Sequence, residues 1–143
     1  MIEMLTQEEK QALLELMACL VRADGRVRDV ERELLAGYAE LFHIQWIDGS
    51  CNCDIDLLDS LAAQFQRPES RVIVLQELLQ LAHLDGFFNK DEKSLIIRVA
   101  TLMGVPENFL KKIDEWVLQG IEWTLRGEEL LESASSILVI PPE

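Results

Sequence analysis

Apolar residues recur at helical spacing along almost the whole chain. Leu13, Leu14, Met17, Leu20 and Val21 fall three and four positions apart, the period of one helix face. Thr6-Gln7-Glu8-Glu9 precedes them with the capping-box pattern, and Asp24-Gly25 closes the helix, since glycine tolerates a left-handed end. A second helix is predicted over about 29–42, with Leu34, Leu35, Tyr38, Leu41 and Phe42 as its stripe. Residues 44–53 read as a connector around the turn cluster Asp48-Gly49-Ser50. A short helix over 54–65 turns Ile55, Leu58, Leu61, Ala62 and Phe65 inward. Pro68 opens a helix reaching Leu84, and Asn89 opens another that stops at Gly104. Pro106 restarts the chain into a long helix through Ile113, Trp116 and Val117 to about Leu125. Trp116 reads as core and Trp123 as surface. Glu128 to Ser135 predicts a further turn or two of helix. The apolar stretch from Ser136 to Ile140 reads either as a strap on the helices or as a partner-binding segment.

The pattern occurs twice. Asp24-Gly25-Arg26-Val27-Arg28-Asp29-Val30-Glu31 is answered by Asp85-Gly86-Phe87-Phe88-Asn89-Lys90-Asp91-Glu92, both Asp-Gly-x-apolar-x-x-x-Glu. Leu20 answers Leu81, Leu35 answers Ile96, and Ala39 answers Ala100. A duplicated unit of this size is expected to fold as a packed pair. The fold expected is all-α: about seven helices in a compact bundle built from two pseudo-symmetric helical hairpins. Repeat one spans about 7–44, the connector and short helix about 45–66, repeat two about 69–105, and the C-terminal helix and tail about 106–143, all in one domain.

Charge narrows the partners. With 26 acidic against 13 basic residues the net charge is −13, which opposes nucleic acid and anionic lipid and favours cations or a basic protein. The first residues carry acids where a secretory signal needs bases, and no run is long enough to span a bilayer. Cys19, Cys51 and Cys53 are odd in number and unlike a disulfide framework, so a reducing cytoplasm is expected.

The paired motif has two chemical readings. In the first it is a helix corner: Asn89 caps, Glu92 reaches back, and Val27 and Phe88 anchor the loops in the core. In the second it holds a cation. Asp24 and Asp85 stand at helix C-termini, where the helix dipole disfavours a carboxylate and a cation would offset it. The spacing resembles the second half of an EF-hand loop. The first half is missing, because Leu20 and Arg22, or Leu81 and His83, stand where earlier oxygen ligands belong. A shallow oxygen-rich site drawn from both copies stays open, with Asp24, Glu31, Asp85, Asn89, Asp91 and Glu92 as ligands for a hard divalent ion such as calcium or magnesium. Arg26, Arg28 and Arg32 crowd the first copy with positive charge, which favours the second as the cation site. Cys51 and Cys53 offer a soft-metal or redox alternative, or two plain loop thiols beside an Asp54 cap; Cys19 reads as packing. His43 and His83 read as structural.

Two helical hairpins bearing Ala-Asp-Gly-x-Val-x-x-x-Glu and Leu-Asp-Gly-x-Phe-x-x-x-Glu resemble the TerB family of tellurite-resistance proteins, over roughly Leu13 to Val117. The N-terminal domain of the co-chaperone DjlA is similar. The resemblance implies acidic residues grouped on one face for divalent metal, falling on Asp24, Glu31, Asp85 and Glu92. It also implies a bacterial stress-response role, often beside membrane proteins. The function expected is therefore a non-enzymatic, cytoplasmic module that binds a protein partner, which can be membrane-associated, without itself inserting. The alternatives are a co-chaperone-like interaction domain without metal, and a thiol-based redox or metalloid-handling factor using Cys51 and Cys53.

Overall fold

A computed structural model of the chain describes residues 1–23, 25, 29–46, 53–84 and 89–138. Every regular element among them is helical. A 3-10 turn, Ile2–Met4, leads into α1 (Gln7–Val21), α2 (Asp29–Leu41), α3 (Ile55–Ala62), α4 (Pro68–His83), α5 (Lys90–Leu102) and α6 (Glu107–Ile137). Among the described residues six α-helices stand where about seven were expected, because residues 128–135 continue α6 rather than forming a separate piece.

Two helices make the centre. In α1, Leu13, Leu14, Leu16 and Met17 are fully buried, and in α4 so are Val74, Leu75 and Leu78. Their apolar residues run all round the axis, as suits a helix enclosed by neighbours. α1 packs against α2, α3, α4 and α5, while α4 packs against α1, α5 and α6. The outer helices bury one face each. α2 contributes Leu35 and Ala39, α5 contributes Ile96, Val99 and Ala100, and α6 contributes Leu110, Ile113 and Val117. Three residues assigned to the core from spacing are exposed instead: Leu41 at the end of α2, Ile55 at the start of α3, and Trp116. The first two sit in terminal turns, where a helix leaves the bundle surface. Trp116 lies on the flank of α6, beside the buried Val117.

Local chemistry sets the helix ends. Thr6 Oγ1 accepts from the Glu9 N–H at 3.1 Å and Glu9 Oε1 accepts from the Thr6 N–H at 2.9 Å, completing the capping box. Asp54 caps α3 through the Leu57 N–H at 2.8 Å, and Pro68 opens α4. α2 and α5 end alike. The Ile44 N–H reaches the Ala39 carbonyl and the Val105 N–H reaches the Ala100 carbonyl, both at 2.8 Å, around a left-handed residue: His43 (φ 57°) in one, Gly104 (φ 74°) in the other. α2 begins at 29 and α5 at 90; they end at 41 and 102, an offset of 61 residues at both ends.

One covalent link was not anticipated. Cys19, buried within α1, is disulfide-bonded to Cys53, just before α3, with the Cα atoms 5.6 Å apart. Cys19 is thus both packed and bonded, and Cys53 pairs with it rather than with Cys51, which lies outside the described residues.

Candidate functional site

The six candidate ligands divide into two groups. Asp24 and Asp85 lie outside the described residues, as do Val27 and Phe88. Glu31 stands partly buried in the first turn of α2. Asn89, Asp91 and Glu92 stand at the start of α5, where free backbone N–H groups and the positive end of the helix dipole favour acids. Asn89 Oδ1 accepts from the Glu92 N–H at 2.9 Å, and Asn89 Nδ2 donates to Glu92 Oε1 at 2.7 Å. Glu92 is buried and Asp91 is exposed. The cap that the corner reading expects is present in this copy: Asn89 caps, and Glu92 turns back onto it through the Asn89 side-chain amide.

A cation at the head of α5 would compete with the cap for its donors. The hard oxygens of Asp91, Glu92 and Asn89 have the right chemistry, but one oxygen each of Asn89 and Glu92 is engaged in the cap. Among the described residues no group of three or more His, Cys, Asp or Glu side chains converges to hold a metal ion.

The remaining polar side chains that are buried serve the fold. The Glu9 carboxylate, buried at the start of α1, takes Arg67 Nη2 at 2.7 Å; Arg67 also bonds the Met4 carbonyl at 2.8 Å. Burial pushes Glu9 up, but the Ser70 hydroxyl, the Thr6 N–H and Arg67 together hold its carboxyl below the usual range. Ser70 Oγ has no partner of hydrogen-bonding geometry, and its proximity to Glu9 is the contact that accounts for this help. His83 joins α4 to α6 through Asp114 at 2.7 Å, the structural role expected of it.

One buried acid escaped the sequence reading. Glu77, on the central helix α4, accepts from Tyr38 Oη at 3.2 Å, facing a shallow groove lined by Met1, Ile2, Lys10 and Phe42. Its signal was an acid within the apolar run of α4. Burial raises the Glu77 carboxyl above its ordinary value of 4.5, against the pull of the Tyr38 hydroxyl and the Met1 ammonium. Burial, then the charge of Glu77 and the bond to it, pushes Tyr38 up to about 12. Both groups favour the fold when protonated. Tyr38 stabilises below pH 10, and that contribution is lost as pH rises through about 12. Tyr38→Phe is expected to remove on the order of 2 kcal/mol from the alkaline loss of stability between those limits. Urea unfolding at pH 9 and above checks this; equal alkaline slopes in wild type and variant would contradict it.

Comparison with protein families gives a match to TerB. The family model for tellurite resistance protein TerB covers residues 54–115. That segment holds α3, α4, the second copy of the acidic motif, α5 and the opening of α6. Comparison with curated proteins and with solved structures finds no match. The similarity to TerB therefore falls on residues 54–115, the part of the chain that carries Asp85, Asn89, Asp91 and Glu92.

Proposed function

We propose that the chain is a non-enzymatic stress-response module of the tellurite-resistance type. It binds a protein partner, and a divalent cation at the paired acidic motif tunes that contact. The observation that carries this reading is the family match over residues 54–115, which spans the second motif with its acids at the head of α5. Calcium or magnesium suits the oxygen donors of Asp24, Glu31, Asp85, Asn89, Asp91 and Glu92. The net charge of −13 points to a basic surface on the partner. Among the described residues no helix is long and apolar enough to cross a membrane, so a membrane-bound partner would be met at its soluble face. We place the protein in the cytoplasm, where the oxidation state of Cys19 and Cys53 becomes a question of local redox conditions.

A metal-free interaction domain is the second reading, favoured by the cap bonds that already occupy Asn89 and Glu92. Affinity capture from a tellurite-stressed bacterial lysate separates the two. The first reading expects one partner to be retained in magnesium or calcium, released by chelator, and lost with Asp85→Ala/Glu92→Ala. Retention that ignores both chelator and variant would favour the second.

A further inference from the structure

The long helix α6 changes character halfway. Its first part is held by α4 and α5 through Leu110, Ile113 and Val117. Beyond Ile121 none of its described side chains is buried, and large apolar ones stand in solvent: Trp123 is 79% exposed, Leu130 74% and Ile137 73%. These are not scattered. Phe109, Trp116, Trp123, Leu130 and Ile137 occupy every seventh position, and four places after each of the first four stand Ile113, Gly120, Gly127 and Ala134. Alternating intervals of four and three are the heptad signature of a helix that pairs with another.

Three details say what covers this face. First, along the distal half each large residue alternates with a small one. Such a stripe is complementary to itself when run backwards: Trp123 of one copy falls opposite Ala134 of the other, Leu130 opposite Gly127, and Ile137 opposite Gly120. Self-complementarity is what a twofold interface requires. Second, a Cβ placed on Gly120 or Gly127 meets nothing within 4 Å, so packing inside the chain gives no reason for two helix-weakening glycines. Close approach of a second backbone gives one. Third, the carboxylates keep clear of the seam. Glu122, Glu128, Glu129 and Glu132 all take outer heptad positions, while Thr124, Leu131, Arg126 and Ser133 flank it. Pairing two such faces over the distal half would bury roughly 1,400 Å² in total, within the range of a stable interface.

We propose that the distal half of α6 pairs antiparallel with the same segment of a second copy, making the protein a dimer through Trp123, Leu130 and Ile137 packed over Gly120, Gly127 and Ala134. Each copy carries a net charge of −13, so the remainder of the two molecules repel and added salt tightens the dimer. A basic helix of another protein, the rival occupant, would be weakened by salt.

Sedimentation equilibrium of the full chain, from micromolar to near-millimolar concentration at low and high salt, tests this. Wild type is expected to show a monomer–dimer equilibrium that strengthens with salt. Trp123→Glu is expected to weaken it at least about tenfold with unchanged helical content, since that side chain touches little of its own chain. Gly127→Ala is expected to act in opposite directions. It raises the thermal midpoint of dilute protein through helix propensity, and it weakens association about tenfold by crowding the seam. A wild type that stays monomeric throughout, a dimer untouched by Trp123→Glu, or a Gly127→Ala variant that associates more tightly would each overturn the proposal.

Discussion

Leu16→Ala is expected to destabilise the fold by about 3–5 kcal/mol, as much as truncating Leu13 or Leu14. Leu16 falls outside the stripe that spacing assigns to the first helix, yet it is fully buried. The reason is the position of α1, enclosed by α2, α3, α4 and α5, so that its middle turns meet water only along the edge that carries Gln11 and Glu15. Removing three heavy atoms there loses their transfer free energy and leaves a cavity that close-packed neighbours fill only in part. Urea unfolding of Leu16→Ala beside wild type checks it. A loss below about 1 kcal/mol would mean that α1 shows this side to solvent, as a surface helix would.

The second large effect is redox-dependent. The Cys19–Cys53 bond links residues 34 positions apart and ties the segment before α3 to the central helix. In the chain-entropy account a link closing a loop of that size stabilises by about 3–4 kcal/mol. Reductant, or Cys53→Ser, is therefore expected to lower the unfolding midpoint, and reductant should then have no further effect on the variant. Cys51→Ser should leave the midpoint of the oxidised protein near wild type, because Cys51 takes no part in the bond. Identical midpoints with and without reductant would contradict the link.

Much of the fold was legible because local signals and the global arrangement agree. Thr6 and Glu9 form the capping box that their spacing announces, Pro68 begins α4, and Asn89 caps α5. The duplicated pattern anticipates helices whose boundaries recur at a constant offset, down to the matching left-handed ends at His43 and Gly104. What was not legible depends on neighbours distant in sequence. A helix buried on all but a narrow edge looks like an ordinary amphipathic one when only its strongest stripe is counted, which hid Leu16. The same blindness hid Glu77, which occupies in α4 the place that Leu16 holds in α1, 61 residues earlier. Whether an acid there is tolerated depends on the Tyr38 hydroxyl reaching it from α2. The disulfide was not expected because three cysteines do not make a framework and Cys19 reads as packing within a helix, whereas pairing follows the three-dimensional proximity of Cys19 and Cys53. The last helix was expected to run to about Leu125, whereas α6 continues through Gly127 to Ile137. A single helix glycine costs about 1 kcal/mol, and strong helix formers on both sides, with the Glu122–Arg126 pair at 2.5 Å one turn before, carry α6 through it. Of the candidate cation ligands, the sequence placed Asn89 and Glu92 together at the head of α5, and their hydrogen bonds realise that placement.

The cation is the part of the functional account that one measurement addresses. Calcium, magnesium and zinc would be titrated calorimetrically into chelator-treated protein at physiological salt, beside the Asp85→Ala/Glu92→Ala variant. The account predicts saturable binding of calcium or magnesium to wild type and none to the variant, with unfolding midpoints close enough to show that both are folded. Absence of binding to folded wild type, or equal binding to the variant, would contradict it and leave the acidic motif as a pair of helix corners.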